Sequence, residues 1–217
     1  MEGFKATRIT PTKQHAEEIL GLACQDLIHC GLSEADAFKI VNPNNEKQIE
    51  SQKEKLKTLQ KRYIGVTAIN NQLVGYGKMH NWTLRNQMPF CSPEEKARVS
   101  VIVNKFHNLA RKPMNDIMGV HEFAVGGDNI EERFSIAGVL IEKIIKLAKL
   151  REIYIPVCDD DIITSSLTQR DFVPTGRVAI RNDIKMELFV YPKSAANFSY
   201  AIDDNDTSVG AVRSKIR

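Results

Sequence analysis

The sequence predicts an α/β (α+β) fold, with a mixed, mostly antiparallel central β-sheet and helices on both faces. The pattern of residues 116–172 predicts a strand, a glycine turn, a helix, a strand and a short helix. This order places two parallel strands side by side. Residues 63–69 and 73–83 read as a β-hairpin around a polar turn. With 217 residues, 42% of them hydrophobic, the chain can bury one core of this kind.

The N-terminal third predicts one strand and two helices. Residues 5–10 form the first strand, and Pro11 opens a helix over 14–30 that ends at Gly31. Residues 32–45 are expected to be a loop or short turn. A second helix over 46–62 is rich in Lys, Glu and Gln with a thin apolar stripe, which is typical of a solvated helix laid on a core.

The remaining elements complete the sheet. Residues 86–115 form an insertion whose middle carries a helical pattern opened by Ser92 and Pro93. Residues 177–182 and 185–191 predict two closing strands. We therefore expect a single domain over 1–193 and a polar C-terminal tail over 194–217, which has too little apolar material to fold alone.

The central segment carries the chemistry. Gly126 and Gly127 follow a buried strand, and Arg133 lies in the first turns of the next helix. Backbone N–H groups of such a turn and helix start bind anions, so the pattern favours a phosphate-bearing cofactor. The alternative is an ordinary strand-to-helix turn, with Asp128 or Asn129 as N-cap and acidic residues in the first helical turn.

This segment resembles the acyl-CoA-binding core of the GNAT superfamily of N-acyltransferases. The family's [QR]-x-x-G-x-[GA] loop corresponds to six consecutive residues, in which Arg133 and Gly138 match and Ile136 replaces a glycine. The resemblance implies acetyl-CoA as co-substrate. Its pyrophosphate would be held by the backbone of Gly126, Arg133, Phe134, Ser135, Ile136, Ala137 and Gly138.

Downstream the layout of the family is kept while its residues change. Asp160 stands where the family has a cofactor-binding Asn, Leu167 where it has a Tyr, and Asp171 where it has a Gly, whereas Phe172 matches. In many relatives that Tyr protonates the departing thiolate, so Leu167 implies another donor or no catalysis. By the same resemblance, the N–H of Val125 would bind the thioester carbonyl.

Transfer of an acyl group to an amine needs a base, and two candidates lie near the end of the fourth strand. His121 and Glu122 are adjacent, so we expect them on opposite faces of that strand. The register leaves open which of them faces the site. Glu122 could instead pair with a Lys or Arg, and His121 could be a rim histidine without a catalytic role.

The leaving thiolate needs a proton donor. Ser166 is the candidate, beside Ser165, Thr168 and Tyr154, and the alternative for all four is capping, packing or solvent contact. Cys158 could in principle be a nucleophile, but we expect an inert buried thiol.

Composition narrows the class of protein. The formal charge is only +3 and the charged helix interleaves Lys with Glu, so nucleic-acid binding is not expected. No apolar run is long enough for a membrane span. The four cysteines form no C-x-x-C pair and no metal spacing with the five histidines. We therefore expect no metal, reduced thiols and a cytoplasmic protein.

Three functions remain open at this stage. The favoured one is an N-acetyltransferase that acts on a primary amine of a small molecule or peptide. The second is an acyl-CoA-binding sensor or interaction module of the same fold that has lost catalysis. The third is a domain that does not bind CoA and contacts a partner through the insertion and the charged helix. The insertion could cover the acceptor site, form a subunit contact such as a homodimer, or only cover the surface.

Overall fold

The computed structural model describes residues 3–105, 108, 111–114, 116–149, 151–181 and 183–191. Its helices are α1 (Lys13–His29), α2 (Glu34–Ile40), α3 (Glu46–Leu59), α4 (Leu84–Gln87), α5 (Pro93–Lys105), α6 (Ile130–Ala148) and α7 (Asp161–Thr168). Its strands are β1 (Lys5–Arg8), β2 (Tyr63–Thr67), β3 (Leu73–Asn81), β4 (Ile117–Val125), β5 (Glu152–Cys158), β6 (Val173–Arg181) and β7 (Ile184–Tyr191).

The strands form one mixed sheet in the order β1-β2-β3-β4-β5-β7-β6. β4 and β5 run parallel, connected by α6, and the other neighbouring pairs are antiparallel. The predicted fold class is therefore confirmed. The parallel pair lies in the middle of the sheet, where α6 and α7 both begin close to its carboxyl ends.

Helices cover both faces. On one face, α6 buries Ile136, Leu140, Ile141 and Ile144 against β2 to β5, and α7 adds Ile163 and Leu167. On the other face, α1 and α3 pack on Tyr63 and Tyr76. A third cluster, formed by Trp82, Phe90, Tyr154 and Leu188, joins the insertion to the end of the sheet nearest β6 and β7. These apolar faces account for most of the burial that stabilises the domain.

Most predicted element positions are confirmed, with three differences. Residues 34–40 form α2 rather than a loop, because Ser33 caps the helix by accepting from the backbone N–H of Asp36. β6 begins at Val173, earlier than expected. α3 ends at Leu59, and a short 3₁₀ turn covers Gln60–Arg62. The boundary at 193 and the polar tail predicted over 194–217 lie outside the described residues.

The insertion packs on the sheet. Within the part that the structure describes, it holds α4, a short 3₁₀ turn and α5, and Glu95 at the start of α5 accepts two bonds from Arg177 of β6, at 2.9 and 3.0 Å. Of the helices described, none is long and apolar enough to cross a bilayer.

The expectation of reduced thiols is wrong for two of the four cysteines. Cys30, at the end of α1, is joined by a disulfide to Cys158, the last residue of β5, with Cα atoms 5.7 Å apart. Sequence spacing could not show this pair, because 128 positions separate the two residues. Cys24 and Cys91 are free thiols, as predicted, and both are buried.

Candidate functional site

A gap opens between the two parallel strands. β4 pairs with β5 only from Ile117 to Gly119, opposite Glu152 to Tyr154. β4 continues to Val125 and β5 to Cys158, so the rest of the two strands diverge. Their facing backbone groups have no partner strand there, which leaves donors and acceptors for a bound molecule. We call this space the β4–β5 gap.

The end of β4 directs one N–H group toward the gap. The N–H of Gly126 donates to the carbonyl of Val74 on β3 at 2.8 Å. Because hydrogen-bonding direction alternates along a strand, the N–H of Val125 points away from β3 and toward β5. This is the direction that the predicted role of Val125 requires.

A β-bulge places His121 and Glu122 on the same face. Lys78 of β3 is opposite Glu122 and Met79 is opposite Val120, so His121 has no partner in the register. The His121 ring lies against His80 at 5.4 Å, and Glu122 bonds Lys78. Since Lys78 and His80 are two residues apart on β3, they share a face. The predicted opposite-face arrangement is therefore wrong, because the bulge adds one residue to the strand.

Glu122 belongs to a polar group in contact with the α1 and α3 cluster. Its Oε1 accepts from Lys78 Nζ at 2.8 Å, and that ammonium lies 5.4 Å from the centre of the Tyr63 ring. Burial lowers the pKa of Lys78, but Glu122 more than offsets this, so the pKa lies above its ordinary value. Burial and Glu122 both raise the pKa of Tyr76. Glu122 is therefore a paired carboxylate in this structure.

His80 is a site residue that the sequence did not reveal. Its ring lies between Trp82, at 5.8 Å, and His121, at 5.4 Å, and both ring nitrogens are buried without a hydrogen-bond partner among the described residues. Burial and the neighbouring His121 lower its pKa to about 4. Burial likewise lowers the pKa of His121. Both imidazoles are thus neutral near pH 7, and a neutral imidazole can accept a proton. In the sequence, the alternation of side-chain direction along β3 was the only signal for His80.

These polar residues occupy a surface between two apolar clusters. The α1 and α3 cluster lies on one side of them, and the cluster made by the insertion and Trp82 lies on the other. Lys78, His80, His121 and Glu122 therefore line an open stretch of the sheet beside the β4–β5 gap. We call these four residues the polar patch.

The turn after β4 has the geometry expected of a strand-to-helix connection. Gly127 has φ of +130°, and a Cβ there would lie 2.9 Å from Arg133 Cγ, so glycine is required on both grounds. Asn129 caps α6 by accepting from the N–H of Glu132 at 2.9 Å. The Glu132 carboxylate in turn accepts from the N–H of Asp128 at 2.8 Å. The helix start is thus closed by its own side chains.

Arg133 does not point into solvent. Its Nη2 donates to Asp160 Oδ2 at 2.7 Å, and the two side chains are 11% and 5% exposed. Asp160 also caps α7 through the N–H groups of Ile162 and Ile163. The ion pair therefore joins the first turns of α6 and α7 across the carboxyl end of the β4–β5 gap. The predicted cofactor contacts Arg133 and Asp160 are brought together, bound to each other.

The rest of the predicted loop is explained by packing. Ile136, which replaces the family's glycine, is fully buried, and a Cβ on Gly75 of β3 would come within 2.8 Å of it. Gly75 on the strand therefore leaves the space that the Ile136 side chain of the helix occupies. Gly138 accommodates the Arg170 guanidinium, which a Cβ would overlap. Phe134 and Ser135 are half-buried, Ala137 is buried, and the Ser135 hydroxyl donates to the carbonyl of Glu131.

α7 supplies one unsatisfied hydroxyl. Ser166 is fully buried, and its Oγ has no hydrogen-bond partner among the residues that the structure describes. Leu167 is also fully buried and belongs to the core with α6. A buried hydroxyl without a partner costs free energy unless a ligand or water supplies one. Ser166 thus keeps its place as a candidate, whereas Leu167 is a core residue.

α1 lies over the open end of the gap. Leu22, Asp26 and Cys30 share one helix face, since they are four residues apart. A Cβ on Gly126 would touch Leu22 at 3.0 Å, and Cys30 is bonded to Cys158. That face therefore runs from the end of β4 to the end of β5. Burial, followed by repulsion from Asp160, raises the pKa of Asp26 to about 7, although Arg133 acts in the opposite direction.

The site offers some of the donors that an acyl-CoA would need, while other groups are already occupied. The N–H direction at Val125 and the buried Arg133 Nε without a partner offer donors near the gap, and α7 carries the unpartnered Ser166 hydroxyl. Against this, the Glu132 carboxylate occupies the Asp128 N–H, where a pyrophosphate would bind. Glu132 is only half-buried, so its side chain has room to move away. Among the described residues no cluster of His, Cys, Asp or Glu could hold a metal ion.

Comparison with known proteins identifies the fold. No family model matches the sequence, and no curated protein sequence matches it. Similar solved structures include a GNAT-family acetyltransferase from Streptococcus agalactiae 2603, with TM-score 0.51 and 9% identity over 87% of this chain and 95% of that one. A ribosomal-protein-S5-alanine acetyltransferase from Vibrio fischeri has TM-score 0.51 and 14% identity over 88% and 93% of the two chains.

A third similar structure belongs to a protein of another kind. The C-terminal condensation domain of Ebony, in complex with beta-alanyl-dopamine, has TM-score 0.51 and 10% identity over 88% of this chain and 99% of that domain. Identities this low speak to the fold alone. The chain has the fold of the GNAT-type acetyltransferases, with its mixed sheet and flanking helices.

Proposed function

We propose that this chain, which has the GNAT acetyltransferase fold, is an N-acetyltransferase that moves the acetyl group of acetyl-CoA directly to a primary amine. The β4–β5 gap carries the proposal. Strands that pair at Ile117–Gly119 and then separate leave a slot in the centre of the sheet, with the polar patch beside it. The similar acetyltransferase structures support acyl transfer as the reaction class.

The donor would bind along the gap. Its pantetheine amides would find backbone partners on β4 beyond Gly119, and the thioester carbonyl would accept from the N–H of Val125. The pyrophosphate would lie against the turn at Gly126 and Gly127, with the N–H of Asp128 released from Glu132. Arg133, through its unpartnered Nε, would add a positive charge to this end.

The acceptor amine would lie on the polar patch. It must lose a proton before it attacks, and His121 is the better base here, because its lowered pKa keeps the imidazole neutral near pH 7. Glu122 could take this role only after breaking its bond with Lys78. The departing thiolate would receive its proton from Ser166 or from water, because Leu167 has no proton to give.

A second candidate is an acyl-CoA-binding protein without catalysis. The observation that favours it is the closed helix start, where Glu132 and the Arg133–Asp160 pair occupy groups that a donor would use. Leu167 in the core points the same way. On this reading acetyl-CoA binds but no acetyl group is transferred, so turnover separates the two candidates.

The test is thermal unfolding with acetyl-CoA, with CoA and with NADH as a control, in a buffer that contains a phosphine reductant. A ligand at about a hundred times its dissociation constant adds about 2.7 kcal/mol to the free energy of unfolding. We expect acetyl-CoA and CoA to raise the melting temperature by a few degrees and NADH to leave it unchanged. No shift with either CoA species would refute the cofactor and both candidates.

Turnover is measured next with a panel of primary amines, by the appearance of free CoA thiol. The expected result is acetyl-CoA-dependent thiol release with at least one amine. The His121→Gln variant should lose most of this rate, by about 100-fold or more, while its acetyl-CoA binding is unchanged. Binding without release for any amine would leave the non-catalytic candidate in place.

We propose a cytoplasmic location and a small-molecule or peptide acceptor.

A further inference from the structure

We propose that Cys30 and Cys158 form a reversible oxidation site that controls access to the β4–β5 gap, with the disulfide form closed to acyl-CoA and the dithiol form open. The inference rests on the proposed function for the identity of the ligand. The bond itself and the movement it restrains are independent of it.

The position of the disulfide carries the proposal. Cys158 ends β5, one of the two strands that border the gap, and Cys30 follows the last turn of α1. α1 belongs to the other half of the sheet, where Leu22 packs at Gly126 beyond the end of β4. The bond therefore fastens to β5 a helix that also packs at the end of β4, so α1 bridges the open end of the gap.

The restraint acts where a pantetheine arm would pass. Asp160 lies two residues after Cys158 and is paired with Arg133 at 2.7 Å. Asp26 is one helical turn before Cys30. Burial chiefly raises its pKa, Asp160 raises it further and Arg133 lowers it, so both of these charges lie near it. With the disulfide in place, α1 holds this buried group of charges over the gap. Without it, α1 is held by side-chain packing, with Leu22 one of the contacts, and by non-covalent polar contacts such as the bond from the Leu73 N–H to Glu18.

The two sulfur atoms differ in access. Cys30 is half-buried at the end of α1, whereas Cys158 is 5% exposed. A dithiol reductant would attack Cys30 Sγ, form a mixed disulfide with it and release Cys158 as thiolate. The second thiol of the reductant then attacks that mixed disulfide and frees Cys30. In sum, each cysteine sulfur gains one electron and one proton, and the dithiol becomes a disulfide; the reverse exchange with a small-molecule disulfide as oxidant re-forms the Cys30–Cys158 bond and returns two thiols.

The chain contains its own controls. Cys24 and Cys91 are buried, free cysteines, and burial raises the pKa of both thiols, which makes them poor nucleophiles. The oxidised protein should therefore show two thiols after denaturation and the reduced protein all four. Alkylation with N-ethylmaleimide and mass spectrometry count them directly.

The experiment compares acetyl-CoA affinity in the two redox forms of the full chain. Calorimetric titration uses acetyl-CoA only, because the free thiol of CoA would itself attack the disulfide. We expect the dissociation constant to fall at least tenfold after reduction with dithiothreitol and removal of the reductant under argon. Cys30→Ser and Cys158→Ser should each bind as tightly as the reduced protein, with or without oxidant. Cys24→Ser and Cys91→Ser should keep the wild-type response.

A second readout keeps the switch separate from the cofactor. Hydrogen exchange of residues 22–31 should quicken on reduction in the wild type and in Cys91→Ser, and should already be fast in Cys30→Ser. Equal affinity in both redox forms, or tighter binding by the disulfide form, overturns the switch. If neither form binds acetyl-CoA, the proposed function fails, and unchanged exchange at 22–31 would then overturn the switch as well.

Discussion

The starts of α6 and α7 are two versions of one arrangement, and they are closed in different ways. Each helix follows one of the two parallel strands, and each is capped by a side chain that accepts from its first N–H groups. At α6 the cap is Asn129 and the carboxylate that closes the turn is the half-buried Glu132. At α7 the cap is Asp160, which is buried and bound to Arg133.

The difference is that another anion can replace the Glu132 carboxylate, whereas the Asp160 carboxylate is part of the structure. Glu132 makes one hydrogen bond to backbone, so a stronger anion can displace it at small cost. Asp160 accepts from two N–H groups and a guanidinium, and removing any one of these leaves a buried charge short of partners. The α6 start is therefore the place for a ligand's phosphates, while the α7 start holds the two helices together.

Removing the guanidinium should have the largest effect. Arg133→Met leaves the Asp160 carboxylate buried with its charge unpaired, and we expect the free energy of unfolding to fall by about 3–5 kcal/mol. Urea unfolding measures it. Arg177→Met is the matched control, because its partner Glu95 is 31% exposed and the pair should contribute at most about 1 kcal/mol. Equal losses in the two variants would contradict the structural role of Asp160.

The next effect concerns Asp26 and depends on pH. Its pKa of about 7 in the folded protein exceeds the unfolded value of about 3.9, so ionisation opposes folding as pH rises between these values. Asp26→Asn should therefore raise the free energy of unfolding by about 2–4 kcal/mol at pH 8 and change it little below pH 4. Urea unfolding across this range is the measurement.

The charged groups around Asp26 define the control. Asp160 and Arg133 act on its pKa, and Asp26 in turn raises that of Tyr76, while His29 lies near the same ion pair. Asp36→Asn, on exposed α2, removes a carboxyl whose pKa is lowered by Lys39, and should give the opposite sign: a small loss of stability at pH 8. A pH-independent gain for Asp26→Asn would contradict this assignment.

A smaller effect separates the two roles of Asp160. Asp160→Asn keeps an oxygen to cap α7, whereas Asp160→Ala keeps neither cap nor charge. Both leave Arg133 without its anion, so their difference should be the cap alone, about 1 kcal/mol. Thermal unfolding of the pair measures it. If the two variants are equally unstable, the hydrogen bonds to Ile162 and Ile163 contribute nothing measurable.

The smallest change in stability should come with the clearest change in binding. Glu132→Gln keeps an acceptor for the Asp128 N–H and should change the free energy of unfolding by less than about 0.5 kcal/mol. Because it removes a negative charge beside the proposed pyrophosphate position, acetyl-CoA should bind several-fold more tightly. Glu131→Gln, one residue earlier and exposed, is the control for charge alone. Weaker binding by Glu132→Gln would remove the phosphate role of this turn.

The sequence predicted the fold well because local signals and topology agreed. The glycine pair and the strand–helix–strand order over 116–172 required parallel neighbours, and the structure has them. α2 was missed because its seven residues carry only a weak periodicity, and its cap, Ser33, was assigned to a loop. This error is typical of short elements, because tertiary packing rather than local sequence decides whether they form.

The site was less predictable, since its geometry depends on long-range pairing. The bulge at His121 exists only in the register with β3, and the sequence of β4 alone cannot show it. The bond between Cys30 and Cys158 and the pair between Arg133 and Asp160 join residues far apart in the chain. The residues predicted as a cofactor loop, Arg133 to Gly138, lie within α6, which begins at Ile130. Their roles in binding acetyl-CoA stay predictions.

The short pairing between β4 and β5 affects the rigidity of the sheet. β3 and β4 are paired along nearly their whole length, but β4 and β5 are paired only at Ile117–Gly119. The sheet thus has two well-paired parts, β1–β4 and β5–β7, which are hydrogen-bonded to each other only at the start of β4 and β5. Because α6 packs on strands of both parts, core substitutions beneath it should change the angle between them and with it the width of the slot.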